Sequence, residues 1–169
     1  MAKVITFSTK FPSYHYRKGE PTFFLVKIYN SIDPERKMNV WNRSDLSFVN
    51  EQAMNDCYPK HHTIRGGRRW KVGDKFSPRI WSGKPYNSKQ IILAEDCEVK
   101  KVWDVEIFIE LSCIYIGIRQ NENTHSLLSF GEVAKNDGLS FGEMQHWFNV
   151  KPNKPFIGQI ICWNGNIDY

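Results

Sequence analysis

The sequence lacks any long apolar run. Its longest, VEIFIELSCIYIGI from Val105 to Ile118, carries Glu106 and Glu110 and falls short of the roughly 20 apolar residues that a spanning helix needs. The first stretch, MAKVITFSTKFPSYHYRKGEP, holds no uninterrupted apolar core of signal-peptide length, because Lys10, Arg17 and Lys18 interrupt it. The expected setting is therefore the cytoplasm, with no membrane partner. Cysteine is scarce: Cys57, Cys97, Cys113 and Cys162 form no C-x-x-C pair, which predicts reduced, partly buried thiols rather than disulfides. Cys57, His61 and His62 lack a fourth ligand at suitable spacing, and strand alternation would separate the two histidines, so no metal is expected. Phosphate-cradling glycine motifs are also missing. The stretch GGRRWKVGD has the glycines but does not link a strand to a helix, and no cofactor is expected.

What is present is ordinary globular composition with a basic bias. Apolar residues make up 41% and charged residues 24%, which excludes a disordered chain, and 169 residues suffice for one domain with one substantial core. The net charge of +5 favours an anionic partner such as RNA, DNA or a nucleotide, although many basic proteins bind none of these. Six Trp, seven Tyr and eleven Phe supply a rich aromatic set, and aromatic rings both fill cores and stack on bases.

The order of periodicities predicts a mixed α+β fold. KVITF (3–7) alternates as a strand, whereas TFFLVKIYNSI (22–32) carries Leu25, Ile28, Tyr29 and Ile32 at helical spacing after Pro21 and Thr22. Residues 33–58 are polar and weakly periodic and read as an insertion, with a short helix within 44–54 capped by Ser44. From His61 onward HHTIR, KFSPRIW, QIILA, CEVKKVWDVEIFIEL and CIYIGIR read as strands, and several short strands imply a curled or closed sheet. The tetrapeptide Ser-Phe-Gly-Glu then occurs twice, and each copy is a capping box that predicts a short helix, the first ended by a left-handed Gly138. PFIGQIICW closes the fold as a strand.

The most concentrated charge lies in PKHHTIRGGRRWKVGDKF (59–76), where Lys60, Arg65, Arg68, Arg69 and Lys71 precede the first acid, Asp74. In an extended HHTIR, Thr63 and Arg65 share a face while Lys60 would point away. A bend after Pro59 would bring the Lys60 amine beside the Thr63 hydroxyl, and an ammonium, a hydroxyl and a guanidinium in one pocket would suit phosphate or base carbonyl groups. Arg68, Arg69 and Lys71 then read either as an electrostatic rim or as solvated turn residues. Trp70, Trp81 and Tyr86 flank the segment as stacking platforms or as core, and Trp81 is the strongest core candidate. His15, His125 and His146 show no partner in the sequence, and His146 reads as structural.

Taken in order, K-x-x-T-x-R at 60–65, the basic turn ending W-K-x-G-D at 70–74, and VAKNDGLSFGEM at 133–144 resemble the ASCH domains, small β-barrels related in fold to the PUA domains of RNA-modifying enzymes. The resemblance spans most of the chain, with 33–58 and SGKPYNSK as elaborations. It implies a single domain over 1–169, a PUA-like mixed β-barrel with peripheral helices, and a cleft that binds RNA, a modified nucleoside or a nucleotide. The ligand-binding set would be Lys60, Thr63 and Arg65, with Arg68, Arg69 and Trp70 around them. One bacterial branch of the family deacetylates N4-acetylcytidine, and its Lys, Thr and Glu fall on Lys60, Thr63 and Asp137. The resemblance thus also implies an amidohydrolase with those three as catalytic residues. The acid here is one methylene shorter, and Asp137 reads equally as a local turn residue before Gly138. A protein-interaction module with a basic face is a third reading, since fold analogy does not fix function. Nothing in the pattern sets an oligomeric state.

Overall fold

The computed structural model describes residues 2–32, 58–121 and 124–169. The expected insertion at 33–58 lies outside the described residues apart from Tyr58, and so do the short helix within it and Cys57.

Among the described residues, two sheets and three helices make a mixed α+β fold. Strand β1 (Lys3–Phe7) runs parallel to β3 (Lys75–Trp81), whose other edge pairs with β5 (Cys97–Glu98) and then with β4 (Gln90–Ile92). Pro78 has no N–H to give, and it falls in the gap of that edge, between Phe76 paired with Cys97 and Arg79 paired with Ile92. The second sheet is antiparallel throughout. Its order is β2 (His62–Gly66), β9 (Phe156–Cys162), β6 (Lys101–Glu110), β7 (Cys113–Arg119) and β8 (His125–Leu128). Among the described residues the two sheets share no strand pairing, so the closed barrel expected from the many short strands gives way to two separate ladders.

The core lies between the sheets and under helix α1 (Phe24–Ile32). Phe76, Ile80, Ile107, Ile116 and Ile160 are fully buried, and truncating any of them to Ala would cost about 2–5 kcal/mol. Trp163 ties the layers together. Its ring lies 6.3 Å from Phe7 and 5.5 Å from Phe76, and its Nε1–H donates to Ser31 on α1 at 2.9 Å. Strand β9 is the second sheet's most enclosed strand, buried from Gly158 to Cys162, which is why PFIGQIICW reads as a continuous apolar run. Gly158 cannot carry a side chain there, since a Cβ would lie 2.2 Å from the Arg65 carbonyl oxygen on β2.

Both Ser-Phe-Gly-Glu copies start helices. Ser129 caps α2 (Phe130–Asn136) by accepting from the Glu132 N–H, and Ser140 caps α3 (Phe141–Phe148) in a reciprocal capping box with Glu143. Gly138 has φ +73°, the left-handed conformation expected after α2. Strand β8 was not expected. It is a short edge strand, HSLL, whose polar start hides its alternation. Among the described residues no helix is long and apolar enough to cross a membrane. Cys97, Cys113 and Cys162 are free thiols.

Candidate functional site

The strand that carries the basic motif begins at His62, and Lys60 lies just before it. Two backbone hydrogen bonds fix this approach: the Lys60 N–H donates to the Lys27 carbonyl on α1, and the His61 N–H to the Asn136 carbonyl at the end of α2, both at 2.8 Å. Anchored to two helices, Lys60 departs from the strand's alternation as the expected bend requires. The turn after α2 completes the approach. A Cβ on Gly138 would sit 3.2 Å from the Lys60 Cβ, so glycine is needed here both for its positive φ and for this close contact.

The outcome is a buried ion pair. The Lys60 amine lies 2.9 Å from Asp137 Oδ1 and donates to the Asp137 backbone carbonyl at 2.6 Å, with the two side chains only 1% and 6% exposed. The Phe24 ring centroid is 4.3 Å from the same amine and offers its π face to the charge. Burial is the main influence on Lys60, and with Arg65 and Lys27 it outweighs the opposing pull of Asp137, lowering the amine from 10.5 to about 8. Burial pushes the Asp137 carboxyl up, but Lys60 and His62 together overcome it and hold the group below its ordinary value. At neutral pH the pair is therefore an ammonium beside a carboxylate. Arg65 points into the same region. Its Nη2 donates to the Thr6 carbonyl at 2.7 Å, its guanidinium lies 5.2 Å from the Phe7 ring, and its Nε is buried without a hydrogen-bond acceptor.

Lys60, Thr63, Arg65 and Asp137 all line one cavity of about 210 Å³. Its remaining walls are largely aromatic, from Phe7, Phe24, Trp81, Tyr86, Trp147 and Phe148. Trp81 and Tyr86 stand 5.3 Å apart at the mouth, Tyr86 being 86% exposed with φ +64°. Trp81 is accordingly a half-buried wall residue rather than the core member expected. A larger cavity of about 780 Å³ adjoins the first and shares Phe7, Phe24 and Trp81 with it.

The structure does not bring the rest of the basic segment to this cavity. Arg68 and Arg69 are exposed on the β2–β3 connection, and Arg68 Nε pairs with Asp104 on β6 at 3.2 Å. Trp70 is clamped there by Gln159 of β9, whose Oε1 accepts from the Trp70 N–H at 2.9 Å, and Trp70 packs edge-on against Phe76. The VGD triplet serves the turn itself: Gly73 has φ +87°, and Asp74 Oδ2 accepts from the Lys71 N–H at 2.9 Å and from the Lys3 amine at 2.6 Å. None of Arg68, Arg69 and Trp70 lines the Lys60 cavity.

Sequence reasoning missed the layer behind Asp137. His62 is fully buried, and its Nδ1 lies 3.3 Å from Asp137 Oδ1, while its Nε2 lies 2.8 Å from the Tyr169 hydroxyl. Burial lowers the His62 ring from its ordinary value against the opposing pull of Asp137, so the ring is neutral at pH 7. Its neighbour His61 meets Asn164 instead, at 3.1 Å. The other histidines find structural partners. His15 Nε2 contacts the Glu143 carbonyl at 3.0 Å and its ring stacks on Phe11, His146 Nδ1 contacts the Gly142 carbonyl at 2.8 Å, and His125 Nε2 meets Glu106 at 3.1 Å. Among the described residues no three His, Cys, Asp or Glu side chains are grouped to hold a metal ion.

Comparison with protein-family models, with curated proteins and with solved structures gave no match.

Proposed function

We propose that the Lys60–Asp137 cavity binds a nucleobase, presented by RNA or by a free or modified nucleoside or nucleotide. The observation that carries this reading is the convergence of Lys60, Thr63, Arg65 and Asp137 on one small, aromatic-walled cavity. A base needs an apolar slot for its faces and donors and acceptors for its edge, and stacking on an aromatic side chain is worth about 1–3 kcal/mol per base. The Trp81–Tyr86 pair at the mouth supplies the stacking surface. Thr63, Arg65 and the Asp137 carboxylate supply the edge groups, and the chain's net charge of +5 favours an anionic strand or nucleotide. On this reading the chain is an ASCH-type domain whose PUA-like strands form two separate ladders rather than one closed barrel.

One observation favours hydrolysis as a second reading. The Lys60 amine, lowered to about 8, is near the range in which a lysine can act as a base at physiological pH. In that scheme Thr63 Oγ bonds to the acyl carbon of an N-acylated base while its proton passes to a neutral Lys60. The C–N bond then breaks, the amine leaves with that proton, and water cleaves the Thr63 ester to release the carboxylic acid. Asp137 holds Lys60 in place throughout.

The test is incubation of the full chain with a mixed panel of nucleosides that includes N4-acetylcytidine, following retention and turnover together. Retention without turnover supports the binder, and release of the deacylated nucleoside supports the hydrolase. Neither outcome would refute both readings and leave the basic-face interaction module.

A further inference from the structure

Behind Asp137 the buried groups His62, Tyr169 and Asn136 form a hydrogen-bonded row whose donors and acceptors fit one arrangement.

Tyr169 has one hydroxyl proton. Its oxygen accepts from Asn136 Nδ2 at 2.8 Å, so its proton is free to go to His62 Nε2, also at 2.8 Å. A neutral ring whose Nε2 accepts must carry its proton on Nδ1. That nitrogen is fully buried and has no well-aligned hydrogen-bond partner. It faces Asp137 Oδ1 at 3.3 Å, an oxygen that also meets the Lys60 amine at 2.9 Å, so the carboxylate is the acceptor nearest to the buried Nδ1–H and has room for it beside the ion pair. The Trp103 ring, 5.0 Å from Tyr169, backs the arrangement with an apolar wall.

We propose that His62, locked in its Nδ1–H tautomer by Tyr169, is a positioning residue for this site: it donates to Asp137 Oδ1 and keeps that carboxylate ionised and turned toward Lys60. Asn136, Tyr169 and His62 then set the charge state of Asp137 and Lys60 from behind, themselves outside the lining of the cavity. The charged or titratable groups that bear on it are Lys60 before β2, Asp137 at the end of α2, His61 next in the chain, Arg65 on β2, Lys27 on α1, and, beside Tyr169, Cys162 on β9 and Glu132 on α2. Burial lowers His62 and raises Tyr169, which favours the neutral ring and the intact hydroxyl that the arrangement requires. The inference rests on the reading that this pair faces a ligand, but its test needs none.

The experiment is nitrogen NMR of the histidine rings and carbon NMR of the Asp137 carboxyl across a pH titration of the full chain. The expected result is His62 protonated at Nδ1 and bare at Nε2 at neutral pH. His62→Leu should raise the Asp137 titration, and His62→Asn, which puts an amide N–H near the Nδ1 position, should restore it toward the parent value. Tyr169→Phe, which removes the donor to Nε2, should move the His62 titration upward. Where His62→Leu does not fold, the tautomer of the unaltered chain and the Tyr169→Phe shift decide the matter. A ring protonated at Nε2, a Tyr169→Phe titration identical to the parent, or an Asp137 titration indifferent to His62→Leu would each overturn the proposal. A failed nucleoside panel would remove the functional reading and leave these results standing.

Discussion

Lys60 Nζ and Asp137 Oδ1 are 2.9 Å apart in the folded chain although 77 positions separate the residues in sequence. The pair is closed off from bulk water, and it joins the lead-in to β2 with the end of α2. Because desolvation of two charges offsets much of their attraction, the pair's value lies in its being complete. Removing one partner strands the other.

That asymmetry gives the first prediction. Asp137→Asn and Lys60→Met should each destabilise the fold by about 3–5 kcal/mol, whereas the double variant should cost clearly less than the sum. Urea denaturation of the four proteins measures the coupling. Additive losses would mean that the two groups do not interact.

A pH dependence follows from the same pair. The folded Lys60 releases its proton at about 8, and the unfolded chain keeps it to about 10.5. Through that interval the unfolded state holds more protons, so this group makes stability rise with pH. Tyr169 acts oppositely once the unfolded phenol ionises near 10, because its folded value is raised. The window to read is therefore about pH 8 to 10. There the parent chain should gain stability relative to Lys60→Met, and parallel curves would contradict the assignment. At acid pH the Asp137 contribution, present above the ordinary carboxylate value of 3.8, should be lost as pH falls through its depressed folded value.

Much of this architecture was legible in the sequence. KVITF, KFSPRIW and CIYIGIR are the strands β1, β3 and β7 without a residue's shift, since alternation and β-branched content act locally. The two Ser-Phe-Gly-Glu boxes named their helices for the same reason, because a cap is satisfied within four residues. Strand parity, together with a shared cleft for the K-x-x-T-x-R residues, places Lys60 off the strand after Pro59. What stayed hidden is non-local. The contact between His62 and Tyr169 spans 107 positions, and no spacing rule reaches across it. Trp81 reads as core because a strand tryptophan ordinarily is, and the cavity that leaves it half-buried is formed by residues distant in sequence. The basic turn reads equally as a rim or as a solvated turn, since its charge is visible in sequence while the pairing of Arg68 with Asp104 and of Trp70 with Gln159 is not.

The aromatic mouth can be tested without disturbing the core. Tyr86 is 86% exposed, so Tyr86→Ala should leave the unfolding midpoint nearly unchanged. If it stacks on the ligand, the substitution should weaken nucleoside binding by about 1–3 kcal/mol. Calorimetric titration with the retained nucleoside checks this, and an unaltered affinity would exclude Tyr86 from the site.

The exposed arginines should behave differently. Because Arg68 and Arg69 do not line the cavity, Arg68→Ala with Arg69→Ala should leave nucleoside affinity intact, while the binding of a longer RNA weakens and its salt dependence flattens. Equal salt slopes for the parent and the double variant would make the pair a solvated turn.

If a nucleobase enters the cavity above Lys60 and Asp137, adding the retained nucleoside to the full chain should give saturable amide and indole chemical-shift changes at Thr63, Arg65, Trp81, Tyr86 and Asp137. Changes confined to the turn from Arg68 to Lys71, or none at saturating ligand, would contradict it.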